Sequence, residues 1–385
     1  MNSISIVKKI MIEFADSTGL SKEEKSPRRY LWTDAFAVCN FLELYRRTGD
    51  ESWRQLALHL VDQVHDILGR HREDDSRTGW ISGLTEEEGR QHPTVGGLRI
   101  GKQINERKPA EPYDDRLEWD RDGQYYHYLT KWMHALNRVS QSTGNSIFNL
   151  WAIELAKAAH SGFVHVMPDG SKWMYWKMSI NLSYPLVPST GQHDPLDGLV
   201  TYNQLQATAA ELSEAPPDLS SEIADLTALC KGRSWATEDP LGIGGLLCDA
   251  YKIVQLIVKE RFTDTELVAD LLESSLRGLG AFMESPSLGL PAAYRLAFRE
   301  LGLAIGLHAI KRMDGSMAEK PDEFSGNHPA CSQMNRFQRY TALSETIERF
   351  WLDSRNRETQ SWTEHLDINS VMLATSLAPE GYLKL

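Results

Sequence analysis

Aspartates stand at the start of several predicted helices, and their carboxyl groups could act in catalysis. The candidates for catalysis are Asp34, Asp120, Asp122, Asp197 and Asp367. Two carboxyl groups, one protonated and one ionised, can act as a general acid together with a base or nucleophile. An aspartate in this position also caps free helix amides, so each candidate has a structural explanation as well.

The densest group of acids lies in EPYDDRLEWDRD, from Glu111 to Asp122. Clustering raises the pKa of at least one carboxyl group by like-charge repulsion, as a general acid requires. In the alternative explanation, Asp114 and Asp115 are solvated loop charges, and only Asp120 and Asp122 approach the next helix.

Flat aromatic rings and histidines accompany these acids. The residues considered for ligand contact are Trp32, Trp119, His127, Trp176, His193, Trp362 and His365. The loop that carries His193 contains three prolines and ends at the predicted helix of Asp197. On the helix after Asp122, four polar residues at spacings of four, three and four share one face. That face, which includes His127 and Lys131, is predicted to be exposed.

Helical periodicity dominates the rest of the chain. In two segments, Thr-Gly-Asp and Thr-Gly-Asn separate helices, so Gly49 and Gly144 fit left-handed caps and Asp50 and Asn145 fit N-caps. Besides these two hairpins, helices are predicted at 3–15, 198–214, 219–232, 241–260, 263–284, 292–311, 338–354 and 366–378. Strand-like runs are confined to linkers such as GWISGL and GGLRIGKQI, so short β-hairpins are predicted in the loops. Twelve helices can close into an α/α toroid, and no linker divides residues 1–385, so a single all-α domain is predicted.

Composition excludes several classes of protein. The 385 residues carry a formal net charge of −12, which disfavours binding to nucleic acid or to an anionic membrane. Four scattered cysteines predict neither a disulfide framework nor a structural zinc site. No cofactor or metal is predicted. No secretion signal or membrane-spanning stretch is recognised, so the predicted location is cytoplasmic.

The T-G-D/N turns join helices, and the motifs LWTDAF, EWDRDG and DPLDGL lie near helix starts. In these features the chain resembles the six-hairpin glycosidase and N-acylglucosamine 2-epimerase group of (α/α)6 barrels. This resemblance concerns architecture over essentially the whole chain. It implies a small-molecule or oligosaccharide ligand in a central funnel, handled by carboxylates and aromatic rings.

Four functions remain open. The first is glycoside hydrolysis by two funnel carboxylates, with Asp120 or Asp122 in one role. The second is sugar epimerisation or isomerisation by histidines such as His127, His193 and His365. The third is a noncatalytic binding or scaffolding toroid, in which the acids cap helices. The fourth, a terpenoid-processing enzyme, rests on the likeness of DDRLE to an aspartate-rich diphosphate-binding element. The sequence does not indicate the oligomeric state.

Overall fold

A computed structural model describes residues 3–21, 27–212 and 217–385. Its α-helices are, in chain order, α1 (Ser3–Ser17), α2 (Leu31–Thr48), α3 (Glu51–Leu68), α4 (Glu86–Gln91), α5 (Asp115–Asp120), α6 (Tyr126–Thr143), α7 (Ile147–Phe163), α8 (Asp194–Leu212), α9 (Ser220–Cys230), α10 (Pro240–Val258), α11 (Thr265–Glu284), α12 (Ala297–Ala318), α13 (Pro329–Phe337), α14 (Leu343–Leu352), α15 (Ser354–Arg357), α16 (Gln360–Thr363), α17 (Leu366–Leu377) and α18 (Glu380–Leu383). Twelve of these described helices have ten or more residues, the number predicted.

The chain divides into two compact units. The first unit is Ala15–Lys231, and the second is Gly232–Leu385 with the N-terminal residues up to Phe14. The expectation of a single domain therefore stays a prediction, and each unit is described separately.

In the first unit, α2, α6 and α8 form the interior. α2 packs against α3 and α6, and α6 packs against α7 and α8. Most of α2 is buried, including the polar Asp34 and Asn40. α3 instead buries one stripe that includes Trp53, Leu60 and Val64. This contrast is expected when one helix of a hairpin lies inside and the other covers it.

The two predicted hairpins are confirmed. Gly49 ends α2 at φ 68°, and Gly144 ends α6 at φ 72°, a conformation in which a side chain would be strained. Asp50 then accepts a hydrogen bond from the backbone N–H of Ser52 at 3.0 Å. Asn145 accepts one from the N–H of Ile147 at 3.1 Å.

Five short strands lie between helices of the first unit. They are β1 (Gln124–Tyr125), β2 (Val164–Val166), β3 (Lys172–Met174), β4 (Lys177–Met178) and β5 (Pro185–Val187), and they form the sheets β1-β4-β5 and β2-β3. The expected short β-hairpins in the loops are confirmed by β2–β3 and β4–β5, although GWISGL and GGLRIGKQI themselves contribute only isolated bridges. In the second run, Gly97 and Gly101 have φ of 77° and 94°, which interrupts an extended backbone.

In the second unit, α10, α12 and α17 are the most buried of the described helices with ten or more residues. α10 and α12 meet through glycines: a Cβ built on Gly244 would lie 2.1 Å from the carbonyl oxygen of Gly302, and one on Gly306 2.6 Å from that of Gly244. Any larger residue at Gly244 would therefore separate the two helices.

Among the described residues, one helix, α10, is long and apolar enough to cross a membrane, contrary to the sequence-based expectation. Within the protein, 72% of its apolar window is buried, as in the core helix of a globular protein.

Several helix bounds differ from those predicted. The 338–354 segment is a 3-10 turn followed by α14, and α12 begins at Ala297 after a separate 3-10 turn in the predicted 292–311 segment. Pro291 precedes that turn, and the extended Arg295 ends it before α12 begins. Two residues of the predicted 198–214 helix, 213 and 214, lie outside the described residues.

Candidate active site

An aromatic cluster forms around the start of α6 in the first unit. The rings of Tyr125 and Trp176 are parallel, with centroids 5.1 Å apart and an interplanar angle of 7°. His127 lies 5.5 Å from Tyr125 and is also nearly parallel to it. Trp119 adds a tilted ring 5.5 Å from Trp176. Four residues from three separate segments therefore form one aromatic wall.

The backbone of the first unit holds this wall in place. β1 and β4 pair Tyr125 with Lys177. The N–H of Tyr126, at the start of α6, donates to the carbonyl oxygen of Trp176 at 3.1 Å. This bond satisfies a helix amide that has no partner inside the helix and fixes Trp176 beside α6. The Trp176 indole N–H donates to Ser189 Oγ at 2.8 Å.

The start of α2 closes another side of the cluster. Trp32 is buried, and its ring lies 6.1 Å from His127 and 5.3 Å from Tyr128. The hydroxyl groups of Tyr30 and Tyr128 are 2.8 Å apart. The first turns of α2 and α6 therefore meet at His127.

His127 joins the aromatic wall to two acids of α8. Its Nδ1 lies 3.6 Å from Oδ1 of Asp194, and its side chain keeps 30% exposure. One turn along α6, Lys131 Nζ lies 2.7 Å from both oxygens of Asp197, which also accepts from Thr130 Oγ1 at 2.6 Å. The predicted exposed face of α6 was wrong here, because Lys131 lies largely between α6 and α8.

The surroundings of His127 keep its ring neutral. Burial, together with the positive charge of Lys131, lowers its pKa to about 4, although Asp197 opposes this change. The imidazole is therefore unprotonated at neutral pH while part of its side chain remains accessible. A neutral imidazole in this setting can accept a proton.

Two further predicted catalytic acids, like Asp197, lie in buried ion pairs. Asp122 has no exposed side-chain surface, and its Oδ2 lies 2.6 Å from Arg99 and 3.4 Å from Arg72. Its Oδ1 accepts from the N–H of Gly101 at 3.0 Å. Asp34 accepts from the N–H of Tyr30 at 2.9 Å and is paired with a buried arginine. These contacts match a structural role, and the catalytic assignment of both acids stays a prediction.

The acidic segment ahead of α6 is dispersed rather than gathered in one site. Asp114 caps α5. Arg107 Nε lies 2.6 Å from Glu118, and Arg121 Nη1 lies 2.6 Å from Glu111. Asp120 is exposed, as Asp114 is, but it directly follows Trp119, whose ring is part of the aromatic wall and is 57% exposed.

Lysines behind the wall were missed by sequence reasoning. Lys102 Nζ lies 3.2 Å from the Tyr125 hydroxyl oxygen and 5.9 Å from the Trp119 ring centroid. Lys177 is fully buried and donates to the carbonyl oxygens of Glu118 and Arg121. The four-residue spacing of His127 and Lys131 indicated only that these two residues share one helix face, and it gave no signal for Lys102 or Lys177.

The two glycines beside the predicted acids pack against protein. A Cβ on Gly123 would lie 2.7 Å from both Leu186 and a backbone oxygen, and one on Gly198 would lie 2.2 Å from the Tyr126 hydroxyl. These positions therefore serve close packing of the chain. His193 is half-buried, and its carbonyl oxygen accepts from the N–H of Asp197 at 3.0 Å.

The remaining predicted residues lie in the second unit. Trp362 is buried and stacks on Trp351 at 5.6 Å. His365 is exposed and contacts the Phe298 ring at 5.6 Å, and Asp367 lies in the first turn of α17. The starts of α12 and α17 therefore meet, as do the starts of α2 and α6 in the first unit. Whether all these helix starts line one funnel stays a prediction.

Comparison with known proteins identifies the fold. No protein-family model matches the chain, and neither does any curated protein. A GH76 alpha-mannanase of Bacteroides thetaiotaomicron has 9% identity and a TM-score of 0.59, with 99% of this chain and 96% of that one covered. An inactive alpha-1,6-mannanase of Salegentibacter sp., solved with alpha-1,6-mannotetrose, has 12% identity, a TM-score of 0.51 and coverage of 98% and 99%. A sugar epimerase from a ruminal bacterium has 11% identity, a TM-score of 0.47 and coverage of 88% and 87%. The first two comparisons confirm the architecture expected from the helical hairpins: this chain has an all-α (α/α)6 toroid fold.

Proposed function

We propose that this chain is a carbohydrate-active enzyme and that His127 transfers a proton in the epimerisation or isomerisation of a bound sugar. The observation that carries the proposal is a neutral, partly exposed imidazole set between an aromatic wall and the carboxylate of Asp194. The histidine alternative raised by the sequence is thereby supported at His127.

The aromatic wall supports a sugar as the ligand. Sugar rings have apolar C–H faces that pack on flat aromatic rings, whereas their hydroxyl groups require hydrogen-bonding partners. Trp119 and Trp176 offer such rings, and Asp120 and Lys102 lie beside them. The shared fold of two alpha-mannanases supports the same ligand class.

The chemistry assigned to His127 requires only a proton transfer. Because Nδ1 faces Asp194, we assign the reaction to Nε2, for which no hydrogen bond is recorded among the described residues. Nε2 would accept the proton from the carbon next to the carbonyl group of an open-chain sugar, forming an imidazolium and an enediolate. Asp194 would stabilise the imidazolium. Return of the proton to the same carbon from its other face would give the epimer; its return to the former carbonyl carbon, with the neighbouring hydroxyl proton passing to the former carbonyl oxygen, would give the isomer.

Exchange of carbon-bound hydrogen tests this function. Hexoses and hexose disaccharides are incubated with the protein in deuterated water, and deuterium incorporation and new isomers are measured by NMR. We expect the wild-type protein to exchange hydrogen and His127→Gln to lose at least a hundredfold in rate. His59→Gln, which changes a surface histidine of α3, is the matched control. Equal exchange rates for His127→Gln and the control would refute the assignment.

Glycoside hydrolysis is the second candidate, and the exposed carboxylate of Asp120 favours it. Asp194 offers a second carboxylate in the same unit, and hydrolysis needs two. Hydrolysis would be selected over isomerisation by two results together. The wild-type protein would release shorter mannosides from alpha-1,6-mannotetrose, and Asp120→Asn would not. The wild-type protein would also incorporate no deuterium into any sugar.

Two further possibilities have distinct outcomes. Sugar binding without hydrogen exchange or hydrolysis would support the noncatalytic role. Release of diphosphate from an isoprenoid diphosphate would support the terpenoid alternative. A cytoplasmic location remains part of the proposal and is checked by fractionation of cells that express the full chain.

A further inference from the structure

A separate cavity of about 320 Å³ lies within the second unit. It is bordered by the start of α10, the end of α11, the start of α12 and the loop that joins the last two helices. None of its lining residues belongs to the aromatic wall or to the His127 group. Its volume is at the lower end of the range for small-molecule sites.

An exposed aromatic ring stands at the rim of this cavity. Tyr294 is 76% exposed, although it lies on a short 3-10 turn whose backbone is anchored. Ser361 Oγ donates to the carbonyl oxygen of Ala292 in this turn at 2.7 Å. Leu290 and Leu296, 39% and 41% exposed, flank Tyr294 along the loop. The rim is therefore an apolar surface carried by an ordered backbone.

A buried ion pair fixes the loop beneath Tyr294. Arg295 donates to both carboxylate oxygens of Glu300, at 2.8 and 2.6 Å. It also donates to the carbonyl oxygen of Leu288 at 2.9 Å, and Trp351 donates to Glu300 Oε2 at 2.8 Å. Because Arg295 and Glu300 are both buried, these bonds hold the loop against α12 without using the exposed rim.

Polar groups suited to hydroxyl recognition face the same cavity. Arg299 lies 2.8 Å from Asp239, and its buried Nε has no hydrogen-bond partner in the described part of the chain. The side chain of Glu238 is exposed, and no hydrogen bond is recorded for it among the described residues. One donor and one acceptor thus line the same cavity as the Tyr294 ring.

The charges around the cavity favour an uncharged ligand. Two carboxylates, of Glu238 and Glu300, and two guanidinium groups, of Arg295 and Arg299, line the cavity, so the lining offers a phosphate no excess of positive charge. An uncharged ligand with an apolar face and adjacent hydroxyl groups matches all the lining groups. We propose that this cavity is a second saccharide-binding site that takes a neutral sugar ring against Tyr294.

Hydrogen exchange in the full-length protein tests the proposed site directly. Amide exchange is measured for residues 285–300 with and without glucose, mannose, galactose, cellobiose and alpha-1,6-mannotetrose. We expect at least one of these sugars to slow exchange in this segment. Tyr294→Ala should weaken that sugar's binding by about tenfold, because the aromatic platform is lost.

Two variants make the result specific. Tyr340→Ala changes a tyrosine on another 3-10 turn of the same unit, outside the cavity lining, and should bind sugar as the wild-type protein does. His127→Gln should lose turnover while protection of residues 285–300 is unchanged, which separates this site from the proposed function. Absence of protection with all five sugars, or equal affinity in Tyr294→Ala and the wild-type protein, would overturn the proposal.

Discussion

Replacing Asp122 with asparagine should destabilise the first unit, even though the two side chains have nearly the same size. The carboxylate is fully buried and compensates Arg99 at 2.6 Å and Arg72 at 3.4 Å. Arg99 also donates to carbonyl oxygens of Ile67 and Arg70, which cannot replace a negative charge. Removal of one partner from a buried ion pair typically costs 3–5 kcal/mol. Because the asparagine oxygen still accepts from a backbone N–H, we expect about 3 kcal/mol.

Urea and thermal unfolding measure this effect. A loss of about 3 kcal/mol corresponds to a decrease of roughly 6–12 °C in Tm for a unit of this size. Asp120→Asn is the matched control, because its exposed side chain lies two residues away and should leave Tm within about 1 °C. Normal stability of Asp122→Asn with loss of turnover would refute the structural argument and support the catalytic prediction made from the sequence.

Three other outcomes are expected. Gly198→Ala should cost about 1–3 kcal/mol in urea unfolding, because its Cβ would lie 2.2 Å from the Tyr126 hydroxyl; Gly245→Ala, with no atom within 4 Å, should not destabilise the protein. Burial lowers the pKa of Lys177 to about 8, so the unfolded state binds more protons between pH 8 and 10.5 and stability should rise with pH there. Lys177→Met should remove that rise in stability, and an unchanged pH dependence of unfolding would contradict the role assigned to Lys177. Activity that depends on neutral His127 should decline as pH falls through about 4, and Lys131→Met should move this decline to higher pH; an unmoved profile would exclude Lys131 as its cause.

The sequence predicted the helical hairpins well because their signals are local. Gly49 with Asp50, and Gly144 with Asn145, specify a helix end and the next helix start within a few residues. A toroid can be predicted from the number and order of its helices alone, and twelve helices are enough to close it. The position of the sheets was not predicted, because β1 pairs with β4 through residues about fifty positions apart in the sequence.

The candidate site was predicted less well because it depends on partners distant in sequence. Asp122 and Asp197 look alike as acids near helix starts, but Arg99 neutralises the first and Lys131 the second. The proximity of His127 to Asp194 arises from the packing of α6 against α8, which no local pattern specifies. Trp176 was selected from its type alone, and its position depends on the β1–β4 pairing and on the amide of Tyr126.

The glycine contact between α10 and α12 bears on whether a substituted protein aggregates. α10 has 19 residues and spans about 28 Å, close to the thickness of a bilayer's hydrocarbon core. So apolar a helix stays in solution only while neighbouring helices cover its apolar surface. A bulky substitution at Gly244 would part the two backbones and present α10 to chaperones, to other unfolded chains and to lipid. Aggregation and misrouting would then precede any loss of catalytic chemistry, so variants at this contact should first reduce the amount of soluble protein.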